Sequence, residues 1–301
     1  MKNLLKKVIQ RGMNENVALA EKLAGGLPGL LLEAESVAHT FMKGVHGRRR
    51  VGQGESFWQF RPFQPGDMRR DIDWRQSAKR GEAYIRQMEW EASQTVWLYR
   101  DASASMDYRA YKNILRKKDY AEVLLLALAI VILNGGEQVS LLGTDLAPQT
   151  HYNAIRRIAD YLPTQKHLAE TGRAVAARSN AVIISDFFFP IENLHAFCEK
   201  LALRGVTGQL VQVFDPSEKT LPFKGRMKFY DPEAAGGPPV DVPQVEAIAE
   251  EYRLRFLAHQ EKLAATAKML GWRFTPVMTG EKIENVLSNL YDDLSAKKGR
   301  G

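Results

Sequence analysis

The sequence predicts an α/β fold: a mostly parallel sheet with helices on both faces, accompanied by a small β-rich unit and N-terminal helices. Three observations lead there. From residue 95 onward, apolar runs of strand length alternate with helical patterns, the order that builds a parallel sheet covered on both sides. Between residues 47 and 97 glycine and aromatic residues become frequent and a two-residue alternation appears. Apolar runs after residue 95 end at Asp101, Asp186 and Asp215, which places carboxylates at strand ends, where open α/β sheets bind ligands.

Taken in order, Leu4, Leu5, Val8, Ile9, Val17, Leu19 and Leu23 recur at helical spacing over 1–24, and Gly25-Gly26-Leu27-Pro28-Gly29 reads as the end of that helix. A second helix is expected over 30–46. In the next segment Phe57-Trp58-Gln59-Phe60-Arg61 alternates, Gln64-Pro65-Gly66-Asp67 is a turn, 74–79 has room for a short helix, and 84–91 reads as a half-buried strand. Then come a strand at 95–99, a strongly apolar helix at 119–134 closed by Gly135-Gly136, and a strand at 138–142. A helix at 152–162, a strand at 181–185, a helix at 192–204 and a strand at 209–214 follow. A Pro/Gly-rich connection over 217–240 with room for a hairpin leads to a long helix at 245–270, a strand at 273–277 and a helix at 282–294. The expected division is 1–46 helical, 47–94 β-rich, 95–295 α/β, and 296–301 a basic tail.

With 45% hydrophobic and 26% charged residues, the composition is that of a folded chain with a real core, and excludes a collagen-like or disordered one. Net charge is +7, carried in short clusters: Arg48-Arg49-Arg50, Arg69-Arg70, Arg116-Lys117-Lys118 and Lys297-Lys298-Gly299-Arg300. These read as solvated surface, with nucleic acid or another anionic partner as the sharper alternative. The single Cys198 allows no internal disulfide and reads as a small core residue, which fits a reducing compartment. The longest apolar run, 123–133, is about half the ~20 residues needed to cross a bilayer and reads as a buried helix. A soluble cytoplasmic protein is expected.

The loop Asp101-Ala102-Ser103-Ala104-Ser105-Met106 directly follows a buried strand. Alternate residues there can set one carboxylate and two hydroxyls around a point, and such hard oxygen donors suit Mg²⁺ or Mn²⁺. Asp186, at the end of another buried strand, would add a second carboxylate. Two carboxylates at one spot require a cation or a proton between them. The plainer reading of Asp-x-Ser-x-Ser is a turn or a helix cap. No Gly-x-x-x-x-Gly-Lys-[Ser/Thr] loop, Gly-x-Gly-x-x-Gly or His-Glu-x-x-His occurs, and the six histidines show no zinc spacing.

This pattern resembles the metal-ion-dependent adhesion site of von Willebrand factor A domains, whose Rossmann-like fold the element order also suits. Asp101, Ser103, Ser105 and Asp186 match that site residue by residue. The sequence departs at the threonine: Thr164, in Leu162-Pro163-Thr164, is the candidate and Thr171 its rival. Gly54-Glu55, Phe57, Arg61, Pro65-Gly66-Asp67, Arg70, Ile72-Asp73-Trp74, Ala78, Arg86, Glu89 and Glu91 further resemble the signature of a bacterial family known as domain of unknown function 58. The resemblance runs from about residue 45 to 107 and more loosely to Phe187. It implies an adaptor or co-chaperone that works with a MoxR-type AAA+ ATPase on a client protein.

Within the β-rich segment Arg61, Asp67, Arg70, Asp73 and Trp74 stand as candidate partner-binding residues. Arginines interleaved with carboxylates form bidentate pairs, so an ion-pair network that fastens the unit is the alternative. Trp58, Trp74 and Trp90 read first as core or unit-interface residues. The function expected from all this is a binding protein, with Mg²⁺ bridging to a partner carboxylate. A metal-dependent hydrolase and a nucleic-acid-binding protein are the rival readings.

Overall fold

The computed structural model describes residues 27–45, 56–64, 67–69, 72–89, 94–165, 168, 174–233 and 237–296. The helix expected over 1–24, the basic runs 48–50 and 297–300, Pro65-Gly66, Arg70, Trp90, Glu91 and Thr171 lie outside the described residues. The chain divides into two compact units: residues 1–49 with 94–301, and residues 50–93.

Helix α1 (Leu27–Val45) begins inside the run that the sequence suggested as a terminator. Proline is tolerated in a first helical turn, where its missing N–H has no intrahelical acceptor to lose. In the smaller unit, β1 (Ser56–Pro62), α2 (Trp74–Arg80) and β2 (Tyr84–Glu89) form an antiparallel hairpin with a helix in its connection. Asp73 caps α2 by accepting from the N–H groups of Arg75 and Gln76, and Gly81 ends it in the left-handed conformation at φ 76°.

The larger unit continues with β3 (Thr95–Arg100), α3 (Lys117–Asn134), β4 (Gln138–Leu141), α4 (Ile155–Tyr161), β5 (Asn180–Ser185), α5 (Ile191–Ala202) and β6 (Thr207–Phe214). It closes with a short α6 (Pro216–Thr220), a hairpin of β7 (Met227–Phe229) and β8 (Val240–Val242), α7 (Val245–Met269), β9 (Arg273–Met278) and α8 (Ile283–Ala296). The five long-range strands lie in the order β4-β3-β5-β6-β9 and every pair is parallel. This is the von Willebrand factor A-like α/β arrangement.

Strand alternation splits the core into two layers. Val96, Leu98, Val182 and Ile184 face α1, α3, α4 and α8, while Trp97, Tyr99, Ala181 and Ile183 face α5 and α7. Helix α3 is enclosed on every side from Tyr120 to Leu133, since α1 and α8 cover the flank that the sheet leaves open. Cys198 is buried and burial pushes its thiol up to about 12, in keeping with a packing role. No helix among the described residues is long and apolar enough to cross a membrane.

Candidate functional site

The strand order sets the place. The chain leaves β3 through α3 toward β4 on one side, and leaves β5 through α5 toward β6 on the other. The two connections diverge between neighbouring strands, and such a reversal opens a crevice at their carboxyl ends. Asp101 and Asp186 stand at those ends, both buried. The Asp101 N–H donates to the Ile184 carbonyl at 2.9 Å, which continues the parallel ladder into the loop.

The Asp101 carboxylate organises the loop that follows it. Oδ1 accepts from the Ser103 N–H at 2.8 Å, and Oδ2 accepts from the Ser185 hydroxyl at 2.6 Å. The Ser103 and Ser105 hydroxyls lie 3.1 Å apart. A 3₁₀ turn, Ala104–Met106, carries the chain onward, and fully buried Met106 anchors it in the core. From the segment after β7, the Glu233 carboxylate accepts from the Ser105 N–H at 2.8 Å.

Asp186 has a different partner. Its Oδ2 accepts from the Lys117 ammonium at 2.8 Å, with both side chains essentially inaccessible at 0% and 1% exposure. Its Oδ1 accepts from the Phe188 N–H at 3.1 Å. Lys117 also donates to Glu218 at 2.5 Å and sits against the rings of Phe188 at 4.9 Å and Tyr108 at 5.8 Å. Glu218 belongs to a capping box on α6, where its other oxygen accepts from the Asp215 N–H and Asp215 accepts from Ser217. Burial raises the Glu218 carboxyl above its ordinary range, with Lys117 opposing. The Tyr108 hydroxyl, hydrogen-bonded to Ser217 at 3.0 Å, is likewise raised by burial.

The two serine hydroxyls meet the geometry of neighbouring ligands on an octahedral Mg²⁺, which at bond lengths of about 2.1 Å stand about 3 Å apart. The rest of the expected donor set does not fit. Asp186 is paired with a buried ammonium, and a dication beside it would face a fixed positive charge across one carboxylate. Thr164 is exposed on a 3₁₀ turn and donates its hydroxyl to the Tyr161 carbonyl at 2.7 Å. Leu162 and Gln165, three residues apart, share the inward side of that turn, and Thr164 falls on the other. Gln165 takes the inner position, donating to the Leu98 and Leu142 carbonyls at 3.2 and 3.1 Å. Among the described residues, no three His, Cys, Asp or Glu side chains gather in a way that would hold a metal ion.

Thus Asp101, Ser103 and Ser105 come together, Asp186 stands beside them with its charge matched, and Thr164 stands apart. The sequence reading missed Ser185, Glu218, Glu233 and above all Lys117, which it placed in a solvated Arg116-Lys117-Lys118 cluster. Its neighbours Arg116 and Lys118 are half-buried, and Arg116 bridges Asp107 and Asp119 at 2.6 and 2.7 Å near the surface. A signal existed: Lys117 precedes Ala121, Leu124, Leu125 and Leu128 at helical spacing, so it lies on the inward stripe of an apolar helix. Arg100 was equally hidden, for it is buried and pairs with Glu122 at 2.8 Å, whose carboxyl is raised by burial against the pull of Arg100.

In the smaller unit, Arg61 and Asp67 form a bidentate pair with both contacts at 2.7 Å, and the Gln64 N–H adds to Asp67 at 2.8 Å. The Arg61 guanidinium holds the Asp67 carboxyl at about 2. Asp73 is engaged in the helix cap. Trp74, read from the sequence as core or unit-interface and also as a partner-binding candidate, is not core: it is 69% exposed at the start of α2.

A parallel α/β domain carrying an Asp-x-Ser-x-Ser loop at its switch point defines a von Willebrand factor A-like protein. Within that class, the chain belongs to the family described as protein of unknown function DUF58, whose model matches residues 59–262. Uncharacterised proteins of Mycobacterium tuberculosis and Mycobacterium bovis are each 26% identical over 268 residues, covering 83% of this chain and 83% of theirs. Among solved structures, the conserved hypothetical protein BatB from Bacteroides thetaiotaomicron aligns at 12% identity and a TM-score of 0.41, covering 68% of this chain and 100% of that one. An aerotolerance-related membrane protein from Bacteroides fragilis aligns at 13% identity and 0.41, with the same coverage.

Proposed function

We propose that this chain is a cytoplasmic adaptor or co-chaperone, a binding protein and not an enzyme, that docks on a partner through the Asp101–Ser105 loop and its surroundings. The partner would be a MoxR-type AAA+ ATPase acting with it on a client protein. One observation supports this best. The loop is held by internal hydrogen bonds at Asp101, Ser103 and Ser105, while the side chains beside it face solvent. Tyr111 is 45% and Phe188 43% exposed, with Arg109 and Lys112 also open. A preorganised backbone under exposed aromatic and basic side chains suits protein recognition, because little ordering entropy remains to be lost on binding. Ser103 and Ser105 hydrogen-bond to each other and not to a base, which is the reason for preferring binding to hydrolysis.

The test is capture of a MoxR-type ATPase, purified from the same organism and loaded with ATP, on the immobilised full chain. Wild type is expected to retain it, and Tyr111→Ala with Phe188→Ala to weaken retention about tenfold or more, as loss of central aromatic contacts does. Unchanged capture by the folded double variant, or none by wild type, would overturn the reading.

A further inference from the structure

We infer that Lys117 is the resident cation of this site, so that the Asp101–Ser105 loop is assembled without Mg²⁺ or Mn²⁺. The inference stands on the geometry of the site and is independent of who the partner is.

A buried ammonium has three donors and must have them matched. Lys117 gives one to Asp186 and one to Glu218, and the faces of Phe188 and Tyr108 lie over the rest of its charge. Each of the two carboxylates is completed from the opposite side by a backbone amide, Phe188 N–H on Asp186 and Asp215 N–H on Glu218. Asp101 is completed in the same manner by the Ser103 N–H and the Ser185 hydroxyl. All three carboxylates have hydrogen-bond donors supplied by the protein's own groups. The cation that parallel carboxylates at a switch point call for is therefore supplied covalently, by the first residue of α3, the helix that leaves this crevice.

A covalent cation differs from a bound one in its consequences. It cannot dissociate, so the site has no metal-free state to pass through, and chelators have nothing to remove. It also has no coordination position open to an incoming carboxylate, because an ammonium at 0% exposure touches no partner. Recognition at this edge then rests on hydroxyls, backbone groups and exposed aromatic side chains.

The experiment uses the full-length chain alone, so its outcome is separable from partner capture. Mg²⁺ and Mn²⁺ are titrated into wild type by calorimetry, and thermal midpoints are read with millimolar metal and with chelator. Wild type is expected to bind neither ion stoichiometrically and to keep its midpoint in both conditions. Lys117→Met should lower the midpoint, and adding Asp186→Asn should recover part of the loss, because the unmatched buried carboxylate is gone. Mn²⁺ should raise the midpoint of Lys117→Met alone, which would mark the ammonium as holding the cation's place. Stoichiometric binding by wild type that disappears in Asp101→Ala would overturn the inference, as would a double variant no more stable than the single one. Should Lys117→Met not fold, the wild-type titration and its Asp101→Ala control decide.

Discussion

Two ion pairs, one in each unit, look alike on paper and differ in what they do. Arg61 and Asp67 are six residues apart, and their side chains remain 31% and 18% exposed. Lys117 lies 69 residues from Asp186 and 101 from Glu218, and water does not reach it. In the first pair, each group keeps access to solvent, so removal of one leaves the other hydrated and the net effect small. In the second, removal of the ammonium strands two carboxylates in the interior, where an unmatched charge is expensive. The contrast teaches that the same chemistry braces a local turn in one place and holds three distant segments to one point in the other. Arg100 with Glu122 belongs to the second kind.

The largest expected effect breaks the buried pair. Lys117→Met should cost about 3–5 kcal/mol of stability in denaturant unfolding, the range for breaking one side of a buried ion pair. A loss no greater than that of an exposed lysine variant such as Lys112→Met would remove the distinction drawn above. Next is Ser185→Ala, which takes away the hydroxyl on Asp101. Loss of a hydrogen bond to a charged group predicts about 1.5–3 kcal/mol by the same measurement. In the smaller unit Asp73→Ala should cost about 1 kcal/mol, the usual effect of an N-cap. Amide exchange is the suitable readout there, with the Arg75 and Gln76 N–H groups losing protection while those of β5 do not.

The smallest effects are those of pH, and they have opposite signs in the two units. Asp67 is lowered from 3.8 to about 2, so its pair contributes fully above pH 3.8 and is lost as pH falls toward 2. Glu218 is raised above 4.5 by burial, so its contribution is fully present below pH 4.5 and declines as pH rises through the folded-state value. The effect of Arg61→Ala on amide exchange in β1 should be full above about pH 4 and vanish as pH falls toward 2. The fall of global stability with pH above 4.5 should flatten in Glu218→Gln. An unchanged slope in that variant would mean that Glu218 titrates as an exposed carboxyl does.

Most of the architecture was legible because periodicity records it. The strand at Thr95–Arg100, the apolar helix Lys117–Asn134 and the long helix Val245–Met269 emerge within a few residues of the expected limits, since each buries a face at its own repeat. The helix start at Leu27 was read too late because proline punctuates the end of one helix and the first turn of another with the same letters. Of the site, Asp101, Ser103 and Ser105 could be read together because they are contiguous and follow a buried strand. Thr164 could not be placed, because which side of a single 3₁₀ turn faces inward depends on Leu162 and Gln165 packing against other strands. Trp74 read either as core or unit-interface or as a partner-binding candidate, and it is exposed because it begins a seven-residue helix with no buried residues.

The sequence by itself determined which segments are strands and helices, and that three of the strands run into aspartate, since local sterics and short-range hydrophobic spacing depend only on neighbours. What the tertiary structure alone decided is which charges meet. The stripe of Ala121, Leu124, Leu125 and Leu128 marks Lys117 as inward-facing, but nothing local to Lys117, Asp186 or Glu218 says that these three meet. The parallel crossovers bring the three to one point, and the low polarity of that point makes their pairing obligatory.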